Sequence, residues 1–495
     1  MKKLLSITAL GFLLTALVLA VAPAWADDSV DQKIKALEQE LNRLKGDQME
    51  LKKEATAAAA ALPSFSYRPG NGVRIEAADK AWSIQLSHEA DFRMPFEAGK
   101  DHVGRTNAEV MGRRFRQEWE MCLNNCFYVL QSRLDLDGFA TNSELQRGQI
   151  EFHLEQINPW LPTIYTGMDI EARIGPFNQG GSATGAQGEY DLLRRNNGFN
   201  TGRTGTGVGV RWDEIPLIPM LGIPGRGDAN IQVGSIGAGD DGTSVSSDRK
   251  DVSVYFRIDP FSQVKNDWIS GFSYSIGAWF CNRDGRVGAQ GCDRNRVRDD
   301  GPGGRQTLFD SGAFPVGSGG QAQYVTPGIQ WRYGPYTLRA VIAFMNYNIE
   351  NPNGDSRAGG VGLDNKARNF LIGHDIFLWS PKGLLTGSAS VPGSVLAGYH
   401  FERNDYSCGH TATLAMCAAG AEFSRNRIIR NEWDLWYFFM PSKSIGVNWY
   451  WYDASNLRSG DNQAQANLLG KAGSRTVAGK GGEWLDATIS LRINF

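Results

Sequence analysis

The chain has 495 residues, of which 21% are charged and 11% aromatic, and its formal net charge is −2 at pH 7. This balance excludes the strongly basic surface of a nucleic-acid-binding protein, so we expect no nucleic-acid partner. After residue 26 no stretch approaches 18 uninterrupted apolar residues, and the mean hydropathy of −0.34 is too low for a helical membrane bundle, whereas a membrane barrel needs apolar side chains only at alternate strand positions.

The first 26 residues predict a secretory signal peptide. Two lysines precede an apolar run from Leu4 to Val21, and Ala24-Trp25-Ala26 forms a small-x-small cleavage site. An uncleaved membrane anchor is the alternative, because the run is almost long enough to cross a bilayer. We expect cleavage after Ala26 and export of the mature chain.

Segment 27–56 has the pattern of a short coiled coil. Its apolar residues follow a 4-3 spacing, and charged residues fill the other positions. The seam consists of Val30, Ile34, Leu37, Leu41, Leu44, Gln48 and Leu51. A solitary surface helix is the alternative, but a helix this polar has little reason to fold alone, so self-association is favoured. Segment 57–79 then serves as a linker to a barrel in 80–495.

The six cysteines form three close pairs, Cys122–Cys126, Cys281–Cys292 and Cys408–Cys417. In an exported chain, this even count predicts three disulfides, each restraining a local hairpin or loop. A metal site is the alternative, but it needs denser spacing and histidines, and CLNNC matches neither CxxC nor CxxCH. We therefore expect no metal and no cofactor.

From about residue 80 the hydrophobic period changes from 3.6 to 2, which predicts strands. Sixteen are predicted, at 81–94, 112–122, 126–137, 148–159, 163–174, 205–214, 228–238, 250–260, 267–280, 321–333, 336–349, 367–379, 395–407, 425–440, 444–455 and 482–495. The connections alternate between long Gly-rich loops and tight turns, as in bacterial outer-membrane barrels. Two turn-side connections, 215–227 and 380–394, are long, so 14 or 18 strands remain alternatives.

Charged and apolar side chains alternate along these strands. In VSVYFRIDP, for example, Val254 and Phe256 alternate with Ser253 and Arg257. An arginine facing lipid at the bilayer centre costs about 2–4 kcal/mol, so the charged rows should face a water-filled lumen. Aromatic residues at strand ends suggest interfacial girdles, with ordinary cross-strand packing as the alternative. They are Trp160, Trp331, Tyr333, Tyr336, Trp379, Phe438, Phe439, Trp449, Tyr450, Trp451 and Tyr452.

These features together resemble a Gram-negative general or anion-selective porin, and the N-terminal coiled coil resembles the phosphate-selective porin family. The terminal Phe495 resembles the signal read by the barrel-assembly machinery. The resemblance implies an all-β transmembrane antiparallel barrel of about 16 strands in the bacterial outer membrane, preceded by a short coiled-coil helix. It also implies a homotrimer in contact with outer-membrane lipid that passes small polar solutes or ions and catalyses no reaction.

In such porins the third long loop folds inward and narrows the pore. Here the third long connection is 175–204, whose GEYDLLRR predicts a helical turn with charged residues Glu189, Asp191, Arg194 and Arg195. We expect it to form the constriction, facing inward-pointing residues Arg114, Arg116 and Arg133. A solvated outward loop is the alternative.

The charged residues of 80–495 indicate weak selectivity. This region has 32 arginines and 9 lysines against 43 acidic residues. Arginine suits anion passage because guanidinium binds phosphate and carboxylate bidentately. Since acids match bases and lysines are few, a weakly selective pore is favoured over a phosphate- or anion-selective channel.

Three other classes compete with a porin. An enzyme is disfavoured because none of the six histidines lies in a Ser/His/acid or HExxH pattern; His153 in IEFHLEQ is best read as a wall residue beside Glu151 and Glu155. A barrel that sheathes or scaffolds another envelope protein, such as an electron-transfer conduit, and a secreted soluble β protein both remain alternatives.

Overall fold

A computed structural model describes residues 28–69, 71–99, 111–137, 143–173, 202–236, 251–284, 296–299, 306–310, 319–350, 363–384, 387–388, 391–407, 426–441, 443–455 and 482–494. The chain divides into two units, Met1–Pro63 and Ser64–Phe495. The predicted signal peptide and Phe495 lie outside the described residues.

The described part of the first unit is a long helix, α1 (Asp28–Ala61), with two residues after it. The helix predicted for the 4-3 repeat is confirmed, and it continues through the alanine run that was assigned to the linker. Its seam residues Ile34, Leu37, Leu41 and Leu44 are all exposed. Among the described residues, no helix is both long enough and apolar enough to cross a membrane.

A small hairpin opens the second unit, inside the segment predicted as a linker. It consists of β1 (Ser64–Arg68) and β2 (Gly72–Glu76). The strand β2 also pairs with the start of the next strand, β3, from Val73 opposite Leu86 to Glu76 opposite Ser83. Gly72, at the turn, has φ +77° and lies against the β3 backbone at Leu86, where a side chain would not fit.

The remaining long strands form one closed antiparallel barrel. They are β3 (Trp82–Gly99), β4 (Met111–Leu123), β5 (Tyr128–Asp137), β6 (Ser143–His153), β7 (Thr163–Arg173), β8 (Gly202–Trp212), β9 (Arg226–Ile236), β10 (Asp251–Asp259), β11 (Phe272–Asp284), β14 (Gly319–Tyr333), β15 (Tyr336–Glu350), β16 (Leu363–Trp379), β17 (Ser394–Ser407), β18 (Asn426–Met440), β19 (Lys443–Ser455) and β20 (Gly482–Asn494). A separate hairpin pairs β12 (Arg296–Asp299) with β13 (Gln306–Asp310).

Closure comes from pairing between the last strand and the first. Each barrel strand pairs with the next one, and β20 pairs with β3 from Trp484 opposite Gly99 to Asn494 opposite Glu89. The predicted count of 16 strands is therefore confirmed. One edge of β3 is shared, because β2 covers its beginning and β20 covers the rest.

Several predicted strand ends differ from the observed ones, and two of the differences have a local cause. The strand expected at 267–280 begins at Phe272, because Asp267–Ser270 is a helical turn whose first amides are capped by Asn266. The strand expected at 148–159 ends at His153 and is followed by a 3₁₀ turn at Leu154–Gln156. In both places a polar capping or turn residue interrupts the alternating pattern.

The two faces of the barrel wall differ as the alternation predicts. In β10, Val254 and Phe256 are each 38% exposed, whereas Ser253 is 0% and Tyr255 is 3% exposed. Side chains on a strand alternate between faces, so the exposed apolar rows lie on the outside and the polar rows on the inside. Arg257 of β10 shares the inner row with Ser253 and Tyr255, as the alternation predicts.

An aromatic cluster lies at the turn end of β11 and β14. Trp268 stacks on Tyr333 at 4.1 Å and on Trp331 at 5.4 Å between ring centroids, and the indole of Trp331 donates to the Trp268 carbonyl at 2.7 Å. This agrees with the predicted girdle position. For Phe438 and Tyr450 the girdle prediction is wrong, because both are 2% exposed on the inner face.

The tight turn between β4 and β5 is closed by a disulfide. Cys122 and Cys126 are bonded, with 4.3 Å between their Cα atoms. Asn124 and Asn125 adopt φ of 52° and 56°, the left-handed region that short hairpin turns require and that asparagine tolerates. Cys281 is also disulfide-bonded. The residues Cys292, Cys408 and Cys417 lie outside the described part of the chain.

Candidate pore wall

One sector of the inner face is lined by charged side chains that retain contact with solvent. We call it the open wall. It is formed by Glu89 of β3, Arg116, Glu118 and Glu120 of β4, and Gln131 and Arg133 of β5, while Asp91 of β3 and Arg492 of β20 adjoin it and are buried. A recess of about 200 Å³ lies over Glu118, Glu120, Gln131 and Arg133. Two of these side chains are clearly in contact with solvent, because Glu118 is 41% exposed and Arg133 is 24% exposed.

Opposite charges alternate across the strands of the open wall. Glu118 stands directly opposite Arg133 in the ladder, and Arg133 Nε donates to Glu118 Oε1 at 2.6 Å. Arg116 stands opposite Glu89, with Nη1 3.7 Å from Oε2. Arg492 Nη2 contacts the same Glu89 at 3.2 Å. Each of these arginines therefore meets a carboxylate, so the wall presents ion pairs rather than bare positive charge.

The structure bears on only part of the predicted constriction. Arg116 and Arg133 belong to the open wall, where each contacts a carboxylate. Arg114 lies in β4, with its backbone opposite Asp91 on one side and Asp137 on the other, while its side chain is outside the described part. The loop residues Glu189, Asp191, Arg194 and Arg195 also lie outside the described residues.

A second sector of the inner face is dry. We call it the packed wall, formed by Arg339 of β15, Asp375 of β16, His400 and Glu402 of β17, and Arg430, Glu432 and Asp434 of β18. Every one of these side chains is 5% exposed or less. This corrects the expectation that all inward charged rows meet water.

The packed wall is held by dense ion pairing. Arg430 Nη2 lies 3.3 Å from Glu402 Oε1 and 3.1 Å from Glu432 Oε2, and its guanidinium lies 5.6 Å from the centre of the Tyr450 ring. Asn448 donates to Glu432 Oε1 at 3.1 Å. Buried charges are tolerated when they are paired and hydrogen-bonded, and Arg430 pairs with two of the buried carboxylates of this wall.

Large aromatic side chains fill the inner face beside these charges. Trp279 of β11, Tyr324 of β14 and Trp436 of β18 are each no more than 1% exposed. Gly446 stands opposite Trp436 in the ladder, and a Cβ atom at 446 would overlap the indole ring. The glycine is therefore needed for the tryptophan to lie flat against β19.

A third group lies where β6, β7 and β8 reach the turn end of the barrel. His153 contacts Glu155 through Nδ1 at 2.6 Å and Glu151 through Nε2 at 3.1 Å. Arg211 reaches Glu151 Oε2 at 3.1 Å, and Thr163 donates to Glu155 at 2.9 Å. The predicted alternating row of Glu151, His153 and Glu155 is thus one connected network, in which both imidazole nitrogens face carboxylates.

A recess of about 670 Å³ adjoins this network and is lined in part by Arg211, Trp212, Arg226 and Gln263. It includes the proline-rich connection after β8, which made the strand count uncertain. That connection folds into a helical turn at Leu217–Met220, with Ile218 buried against Gly227. Its length thus reflects a small packed cap and not two missing strands.

The sequence matches no protein-family model and no curated relative. Among solved structures, the chain is similar to an anion-selective porin from Comamonas acidovorans, at 12% identity and a TM-score of 0.49, covering 84% of this chain and 100% of that one. It is similar to the outer membrane channel DcaP of Acinetobacter baumannii, at 10% identity and a TM-score of 0.47, covering 84% and 98%. It is also similar to Salmonella typhi OmpF, at 12% identity and a TM-score of 0.45, covering 87% and 100%. The assignment of a closed barrel is based only on the strand pairing observed in this chain and not on these similarities.

Proposed function

We propose that the protein is an outer-membrane porin through which small hydrophilic solutes and ions diffuse passively. The observation that carries this proposal is the combination of an apolar, exposed outer face with a solvated, charged open wall inside one closed barrel. An apolar outer band suits lipid, because backbone groups in a closed barrel are all paired. A charged inner wall in contact with solvent suits a hydrated path.

The proposed pore has weak ion selectivity. Arg133 and Arg116 are each paired with a carboxylate across the strand, at 2.6 Å and 3.7 Å. A paired guanidinium attracts a passing anion less than a bare one does, because the field of the pair falls off faster than that of a single charge. This supports a pore for mixed polar solutes over one dedicated to phosphate.

The constriction is proposed to come from connection 175–204, through Glu189, Asp191, Arg194 and Arg195, acting against Arg116 and Arg133 and, through its place in β4, Arg114. A double change of Arg194 and Arg195 to alanine should raise single-channel conductance and shift ion preference toward cations. Unchanged conductance and preference would remove this part of the proposal.

Assembly as a homotrimer is proposed from α1. Its exposed seam of Ile34, Leu37, Leu41 and Leu44 is the surface a coiled-coil partner would cover, and a second and third copy of the same chain supply it. Insertion through the barrel-assembly machinery is part of the same proposal.

The test is planar-bilayer recording of the purified protein under a salt gradient. Wild type should conduct without a partner and show a small reversal potential. Arg133→Gln should move that potential toward cation preference, since Glu118 keeps its charge, and Glu118→Gln should move it toward anion preference. Ser132→Ala, on the opposite face of β5, is the matched control and should leave the potential unchanged.

Two results would overturn the proposal. A correctly folded protein that does not conduct alone would indicate a barrel that sheathes or scaffolds another envelope protein. A strong anion preference, blocked by phosphate and insensitive to Arg133→Gln, would indicate a phosphate- or anion-selective channel.

A further inference from the structure

We propose that Asp375, His400 and Asp434 form a binding site for one divalent transition-metal ion on the inner face of the packed wall. One ligand atom from each residue lies within 4.8 Å of the other two, and all three side chains are no more than 3% exposed. The residues come from three consecutive strands, so a bound ion would cross-link β16, β17 and β18.

The strand register explains why these residues meet. Gly398 of β17 stands opposite Asp375 on one side and opposite Asp434 on the other. The two carboxylates therefore converge across a position that carries no side chain. His400 lies two residues further along the same face of β17 and stands opposite Gly373, where a Cβ would lie only 2.7 Å from the imidazole Cδ2.

The donor set has the composition of a transition-metal site. Imidazole nitrogen and carboxylate oxygen are both ordinary zinc ligands, at about 2.0–2.2 Å from the metal. Such bonds place tetrahedral ligand atoms about 3.4 Å apart, so the observed spacing needs only small side-chain rotations to close on an ion. Asp375 Oδ2 is buried and accepts no hydrogen bond, so it can serve as a ligand.

The surroundings of His400 fit this role. Its Nε2 lies 3.0 Å from Asp375 Oδ1, on the side where the ligand atoms converge, and its Nδ1 lies 3.7 Å from Glu432 Oε2. Metal-binding histidines commonly direct their second nitrogen at a carboxylate, which fixes the ring and raises its basicity. Glu432 places a carboxylate on that side of the ring, 3.7 Å away, and a small shift of the imidazole toward it would complete the hydrogen bond.

The neighbouring arginines do not displace the ion from this site. Arg430 is engaged by Glu402 and Glu432, at 3.3 Å and 3.1 Å. Arg339 Nη2 forms an ion pair with Asp375 Oδ2 at 3.6 Å, which is longer than a hydrogen bond, so an ion bound at Oδ2 would replace only this long contact. Two carboxylates whose oxygens lie this close repel each other in a dry environment, and a divalent cation between them relieves that repulsion.

The experiment uses purified, detergent-folded protein that has been treated with a chelator and dialysed. Zn²⁺ is then titrated and the bound ion counted by elemental analysis, and Co²⁺ is added separately as a spectroscopic probe. Wild type should bind one Zn²⁺ per chain, and its Co²⁺ form should show the visible absorption of a four- or five-coordinate site. A wild type that binds no ion, or that shows no such absorption, overturns the proposal.

Two variants localise the site. His400→Gln and Asp434→Asn should each lower Zn²⁺ affinity by more than the 10- to 100-fold loss, roughly, that follows removal of an outer hydrogen-bond partner. His374→Gln, on the outer face of β16, is the matched control and should bind as wild type does. Heat-modifiable gel mobility shows whether each variant is folded. If His400→Gln does not fold, Asp434→Asn still tests the site, because asparagine has nearly the same shape as aspartate. Wild-type affinity in folded Asp434→Asn would overturn the assignment.

Discussion

Two arginines on the inner face differ in burial, which predicts very different costs for their removal. Arg430 is 1% exposed and is paired with Glu402 and Glu432, whereas Arg133 is 24% exposed and is paired with Glu118. Arg430→Met leaves two buried carboxylates without their guanidinium, a change that costs about 3–5 kcal/mol. Arg133→Met breaks a solvated pair, which is worth about 0.2–1 kcal/mol.

The assay is denaturant unfolding in detergent, followed by tryptophan fluorescence and by heat-modifiable mobility. The predicted gap between the variants is at least about 2 kcal/mol, or more than tenfold in the unfolding equilibrium constant. The triple change Arg430→Met, Glu402→Gln and Glu432→Gln should recover part of the loss, because no buried charge is then left without a partner. Equal costs for Arg430→Met and Arg133→Met would refute the division into a packed and an open wall.

Three further predictions follow from the packing. Gly446→Val should destabilise the barrel by at least about 1–3 kcal/mol, since the new side chain overlaps Trp436; unfolding midpoints measure this, and a neutral result would contradict the packing described. Replacing Cys122 and Cys126 by serine should cost roughly 2 kcal/mol from the short loop alone and leave conductance unchanged in bilayers. Deleting α1 should reduce trimers in cross-linking experiments while monomers remain heat-modifiable, and trimers that persist in full would count against the coiled-coil seam.

The strand content could be predicted because alternation of period 2 is a local property. Each of the 16 predicted strands corresponds to an observed one, and Arg116 and Glu118 of β4 form ion pairs along one face of the wall, as their spacing of two indicates. The β1–β2 hairpin was missed because SFSYR and GVRIE are five residues each, too short for alternation to stand out beside their polar neighbours.

The division of the inner face could not be predicted in the same way. Asp375, His400 and Glu432 are polar residues on inward rows, as are Glu118 and Arg133, and nothing in the spacing distinguishes a dry row from a wet one. Burial depends on which side chains meet across neighbouring strands, and therefore on the register. Glycines inside strands were the clearest sequence signal of the packed wall. Gly373, Gly398 and Gly446 stand opposite His400, Asp375 and Trp436 respectively.

Ion preference should be decided by the open wall even though the packed wall carries as many charges. A charge acts on a passing ion through the medium between them, and an ion in water approaches an exposed carboxylate more closely than a buried one. Glu402 and Glu432 are 0% exposed and share Arg430, whereas the carboxylate of Glu118 is 41% exposed. We therefore expect the abundance of arginine not to produce anion preference, since among the described residues Arg430 is buried with two carboxylates and Arg133 lies beside Glu118.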